Sequence, residues 1–162
     1  MMQRLKIRAG LSVGGLAILF FAGCGSETKP TIDVGPTATV TGTVEMDGKP
    51  VANATVYFRP DGQKAFSGAI GITDASGKYE LKTDLGEGKT QKGCPLGAYH
   101  ITISKFVKED GTSPPPNSTD PNDMLGAHES IPLAYTTPNE EMTFEVTAST
   151  TPLVYDIKIP GK

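Results

Sequence analysis

The sequence predicts an all-β fold, a two-sheet antiparallel sandwich of seven short strands behind an N-terminal leader. Three observations carry that prediction. Apolar residues recur at every second position in one run after another, the mark of strands with one face in a core and one in water. Turn residues separate the runs, as closely connected strands require. The 13 prolines and 19 glycines oppose long helices, and beyond the leader no stretch shows a 3.6-residue apolar stripe. A chain of 162 residues has room for one such domain plus a leader.

The leader comes first. "MMQRLKIR" carries Arg4, Lys6 and Arg8 without an acid, and "AGLSVGGLAILFFAG" adds about fifteen apolar or small residues. A permanent membrane span needs roughly 20. A basic head, a short apolar body and small residues at its end describe a secretory signal peptide instead. Phe21-Ala22-Gly23-Cys24 resembles the lipobox of bacterial lipoproteins, with Phe21 where leucine is commonest. The resemblance implies cleavage after residue 23, lipid attachment at Cys24 and a membrane as the first partner. Acyl chains contribute about 0.8 kcal/mol per buried methylene, enough to hold a protein on a bilayer. Gly25 stands where an aspartate would favour the inner membrane, so the resemblance implies the outer membrane of a cell envelope.

Removing residues 1–23 leaves 12 basic against 18 acidic side chains, a formal charge of about −6. Such a domain repels nucleic acid and anionic headgroups. Residues 24–38, "CGSETKPTIDVGPTA", show no periodicity and read as a flexible linker. With Cys24 acylated, Cys94 stands alone, so no disulfide framework is expected. Only Lys92 lies near it in sequence to lower its pKa, and it reads as a partly buried, inert thiol.

The domain is expected over 39–160. In "VTGTVEM" Val40, Gly42, Val44 and Met46 share one side. "ATVYFRP" groups Ala54, Val56 and Phe58, "GAIGITD" groups Ile70 and Ile72, and "KYELKT" groups Tyr79 and Leu81. "GAYHITISK" sets Tyr99, Ile101 and Ile103 against His100, Thr102 and Ser104. "EMTFEVT" aligns Met142, Phe144 and Val146; "LVYDIKI" aligns Leu153, Tyr155, Ile157 and Ile159. Asp47-Gly48 is a strong hairpin signal, and Asp74-Ala75-Ser76-Gly77 predicts a turn with a left-handed glycine. Residues 106–130, "FVKEDGTSPPPNSTDPNDMLGAHES", break the rhythm. Structureless loops beyond about 12–15 residues are uncommon, so this long loop is expected as either a solvated insertion or a binding loop.

These residues resemble the carboxypeptidase regulatory-like domain, a transthyretin-like (prealbumin-like) Greek-key sandwich. Thr41 to Phe58, with Asp47-Gly48-Lys49-Pro50 at its turn, is similar to the opening hairpin of that family. Thr73 to Leu81 is similar to its second hairpin and Gly97 to Ile103 to its central strand. Ile131-Pro132-Leu133-Ala134-Tyr135 resembles a segment of bacterial lipoproteins that carry the domain. The motifs are turn glycines and core aromatics. In the namesake enzymes catalysis belongs to a separate zinc domain, so the resemblance implies no activity here.

Motifs for chemistry are sparse. A catalytic zinc needs about three converging ligands, and His100 and His128 sit in neither an H-E-x-x-H nor an H-x-x-E frame. Asp120-Pro121-Asn122-Asp123 offers close oxygens without the calcium-loop frame. No G-x-S-x-G elbow or phosphate-cradling loop occurs. Some relatives of the sandwich carry an internal lysine–asparagine crosslink, but Lys78, Lys82, Lys105 and Lys158 fall off the apolar faces. No cofactor and no metal are expected. Tyr57, Phe66, Phe106 and Tyr135 are the aromatics of the mature chain outside the core stripes, and there is no tryptophan. The sequence therefore predicts a non-catalytic, lipid-anchored interaction or structural module, whose partner is an envelope protein. The alternative is a carbohydrate- or ligand-binding module using the 106–130 loop.

Overall fold

The computed structural model describes residues 32–161 apart from 63, 65, 116, 117 and 119. The leader, Cys24 and most of the linker lie outside the described residues.

Alternation turns into strands where the sequence placed it, in more and shorter pieces. The first half of the chain forms β1 (Thr37–Ala38), β2 (Val40–Met46), β3 (Lys49–Pro50), β4 (Thr55–Pro60) and β5 (Gly68–Ile72). Then come β6 (Lys78–Glu80), β7 (Lys82–Asp84), β8 (Thr90–Lys92), β9 (Cys94–Pro95) and β10 (Gly97–Ser104). After them follow β11 (Phe106–Lys108), β12 (Ala127–Glu129) and the single helical turn α1 (Leu133–Thr136). The chain closes with β13 (Thr143–Val146), β14 (Leu153–Val154) and β15 (Ile157–Ile159). One sheet runs β13-β10-β4-β5-β7-β8. A second is centred on β2, with β3 and β6 on it and with β14 and β15 beside it.

Four expectations need correction. The "KYELKT" run is two strands: β6 pairs with β2 and β7 with β5, so the chain changes sheet at Leu81. Leu81 is fully buried and its N–H is taken by the Val40 carbonyl. The "LVYDIKI" run is likewise two strands, and both lie parallel to β2, so the pairing is not antiparallel throughout. The third correction concerns β5. Its inward face carries Ala69 and Gly71, while Ile70 is half-buried and Ile72 is exposed. A Cβ at Gly71 would stand 2.9 Å from the Tyr79 ring and 3.2 Å from Leu81. Two large side chains claim the volume opposite β5, and only small residues fit beneath them. The linker also ends earlier than residue 38, because Thr37 and Ala38 pair with Pro95 and Cys94.

Both sheets feed one apolar cluster. Val40 and Val44 of β2 meet Val56 and Phe58 of β4 and Ile101 and Ile103 of β10, all fully buried. Phe58 is the hub. Its ring lies 5.9 Å from Tyr99 and, edge-on, 6.1 Å from Phe144 and 5.9 Å from Tyr155, which sits between β14 and β15. Such aromatic pairs contribute about 0.5–1.5 kcal/mol beyond their burial.

The predicted turns form. Asp47 and Gly48 both take positive φ, 54° and 70°, which closes β2 on β3 with two residues. At the second turn the Asp74 carboxylate accepts the Ser76 N–H, the Ser76 hydroxyl and the Lys78 N–H. Gly77 has φ 75°, and a Cβ there would press 2.6 Å from the Val44 carbonyl.

Candidate functional site

The site is built on the outward face of β4 and β10. Their inward residues are Val56, Phe58, Ile101 and Ile103, so the intervening positions must face away from the core. Register sets those positions in three cross-strand pairs: Thr55 with Ser104, Tyr57 with Thr102, and Arg59 with His100. The Arg59 guanidinium lies over the Tyr57 ring, 5.2 Å from its centre, a cation–π contact.

The segment 106–130 stands above one end of this face. Its base is a two-stranded ribbon rather than the irregular chain expected: Phe106, Val107 and Lys108 pair with Glu129, His128 and Ala127. Its base is clamped by Glu129. That carboxylate accepts the Ser104 hydroxyl, the Lys105 N–H and the Ile131 N–H. At the first bend the Asp110 carboxylate accepts the Thr112 hydroxyl and N–H, and those bonds hold its pKa below the ordinary carboxylate value. Pro114 is buried against the sheet, where it lines a cleft with Thr55 and Tyr57. A polar insertion earns its place here through local hydrogen bonds, since it has little apolar surface to bury.

Two clefts result. One, of about 170 Å³, is lined by Thr55, Tyr57, Ser104, Phe106, Pro114 and Met124, among others. The other, of about 370 Å³, takes in Tyr57, Arg59, Thr102, Ser104, Phe106 and Glu129. Tyr57, Ser104 and Phe106 line both, so the clefts are neighbouring parts of one groove. Thr136 of α1 edges the second cleft. Asn139 fixes that helical turn by donating its amide to the Ala134 carbonyl at 2.7 Å.

The aromatics singled out from the sequence divide. Tyr57 and Phe106 come together in the groove, whereas Phe66 and Tyr135 pack against the core. His100 is half-buried with its Nδ1 3.2 Å from the Asn139 carbonyl, while His128 is exposed on β12. Asp120 and Asp123 spend carboxylate oxygens on Asn122 and Ser118. Among the described residues no group of three or more His, Cys, Asp or Glu converges as a metal site would. Cys94 is fully buried, and burial pushes its thiol up to about 11. Lys78, Lys82 and Lys158 are exposed and Lys105 is half-buried. The groove residues that sequence reasoning left aside are Thr55, Arg59, Thr102 and Ser104. Their outward phase was legible; which of them would stand opposite one another was not.

A wider and shallower hollow of about 410 Å³ lies over β2, lined by Thr41, Thr43, Lys78, Glu80, Val154 and Asp156, among others. The Asp156 carboxylate there takes both the N–H and the hydroxyl of Thr43.

Comparison with family models, curated proteins and solved structures gave no match.

Proposed function

We propose that this chain is an exported, non-catalytic binding module of the cell envelope, held on the outer membrane by lipid at Cys24. Its fold is a Greek-key sandwich of the carboxypeptidase regulatory-like, transthyretin-like kind. The sequence motifs at Asp47-Gly48, Asp74 to Gly77 and Gly97 to Ile103 support that assignment, as does the all-β architecture.

One observation carries the functional reading. The 106–130 segment is tied down by Glu129 and leaves a groove with Tyr57, Ser104 and Phe106 at its centre. A solvated insertion needs neither the clamp nor the aromatic lining. Binding sites favour loops held by a rigid scaffold, in concave places with a few placed polar groups. A partner held there is an envelope component, and the acidic balance of the chain disfavours nucleic acid.

A second reading has its own support. β13 and the β14–β15 pair are the outer strands of the two sheets on the side where Phe144 meets Tyr155. Either edge could take a strand from an envelope protein.

The test is retention of the purified full chain, in detergent, on isolated envelopes, compared with the Tyr57→Ala/Phe106→Ala double variant. Saturable retention that falls by about tenfold in the variant supports the groove. Equal retention moves the function to the sheet edges. For the anchor, the Cys24→Ala precursor is expected to take up no labelled palmitate; normal uptake would sink the assignment.

A further inference from the structure

We infer that the groove over β4 and β10 binds a short oligosaccharide, stacked on Phe106 and Tyr57 and hydrogen-bonded by Thr55, Thr102 and Ser104. The inference rests on the reading of this groove as the binding site and names what the site takes.

The threonines decide it. Thr102 is only 2% exposed and Thr55 only 9%, yet neither hydroxyl has a hydrogen-bond partner among the described residues. Every fully enclosed side-chain oxygen or nitrogen among those residues has a partner. The two hydroxyls must therefore keep an opening, and each borders a cleft, Thr55 the smaller and Thr102 the larger. A hydroxyl held nearly buried without a partner costs free energy unless water or a ligand completes it. Ser104 stands beside them. Its hydroxyl donates to Glu129 and keeps lone pairs to accept with.

The remaining lining narrows the ligand. Phe106 is 40% exposed, and with Tyr57 it supplies apolar ring faces where a sugar can lay its C–H surface. Glu129 already accepts three hydrogen bonds, so it offers little to a cation. Arg59, spread over Tyr57 at the larger cleft, presents planar N–H donors suited to hydroxyl oxygens or a carboxylate. Neutral hydroxyls that donate and accept, lining one groove with two aromatic rings, match a polyhydroxylated ring better than a peptide backbone. The three cross-strand pairs of the floor run along the strands from Thr55 to Arg59. At about 3.4 Å per residue those four steps cover about 14 Å, long enough for two or three sugar rings.

The test uses the purified full chain in detergent and four probes, the tetrasaccharides of glucose, mannose, N-acetylglucosamine and galacturonic acid. Binding is read from amide resonances and from calorimetry. At least one probe is expected to bind and to shift the amides of Thr55, Tyr57, Thr102 and Phe106. Thr102→Val keeps the side-chain shape and Phe106→Ala removes the ring; each should weaken that probe by about tenfold, with the remaining resonances unmoved. The proposal is overturned if no probe shifts these amides at millimolar concentration, or if both variants bind as the parent does. Should the probes fail while envelope retention still depends on Phe106, the groove keeps its role and the sugar is wrong. Should retention also ignore Phe106, both readings fall together.

Discussion

The Tyr79 hydroxyl donates to the Tyr155 carbonyl at 2.6 Å, passing beneath Gly42 to join β6 to the bend between β14 and β15. Three segments far apart in sequence meet at that bond. Gly42 is what permits it, because a Cβ there would collide with the Tyr155 carbonyl oxygen and crowd the Tyr79 hydroxyl at 2.8 Å. Burial, together with neighbouring Tyr155 and Asp156, pushes the Tyr79 hydroxyl well above its ordinary pKa, so it stays a donor.

Substitution at this crossing should therefore be graded. Tyr79→Phe leaves the Tyr155 carbonyl without its partner and should cost about 1 kcal/mol. Gly42→Ala must displace backbone and should cost about 2–3 kcal/mol. Urea denaturation midpoints measure both. A Gly42→Ala protein as stable as the parent would show that the crossing is looser than described.

Glu129 holds the ribbon at its base by three hydrogen bonds. Glu129→Ala strands the Lys105 and Ile131 N–H groups and should cost about 2–3 kcal/mol. The loss should be local first: proteolysis within 109–126 accelerates and amide exchange there rises, while β4 and β10 keep their protection. Uniform loss of protection across the domain would contradict a local clamp.

Cys94 should be inert while the domain is folded. With its thiol raised to about 11 by burial, roughly one molecule in a thousand is thiolate at pH 8. A Cys24→Ser protein should label with a disulfide reagent about 100-fold more slowly when native than when unfolded in urea. Rapid native labelling would place Cys94 at an opening of the fold.

Asp74 gives the fold a dependence on acid. Hydrogen bonds from the Ser76 side chain, then from the Lys78 and Ser76 N–H groups, lower its pKa from the ordinary 3.8. The folded state thus binds this proton less readily than the unfolded one. Its contribution is complete above the ordinary value and disappears as pH falls through the lowered one. The stability gap between parent and Asp74→Ala should be constant near neutrality and close below about pH 4. A gap that widens in acid would reverse the sign and remove the explanation.

What could be read in advance followed from local rules. Alternation in "VTGTVEM" and "GAYHITISK" placed the inward faces of β2 and β10 because the side-chain period of a strand is two. Asp47-Gly48 gave the hairpin because both positions need positive φ. The alternating isoleucines of β5 point to the wrong inward face, because packing denies them that side. Ala69 and Gly71 turn inward since Tyr79 and Leu81 fill the space opposite. The ribbon at 106–130 left no signal of period, being held by a carboxylate on residue 129 and turns closed by aspartates.

The sequence alone thus determined an all-β chain, its main strands and two of its turns, all consequences of spacing between near neighbours. Tertiary structure decided the exchange of sheets at Leu81, the parallel seating of β14 and β15, and the meeting of Tyr57, Thr102 and Phe106 in a groove. Those depend on which strands pair and in what register. That choice is made by side chains competing for volume across the core, far apart along the chain.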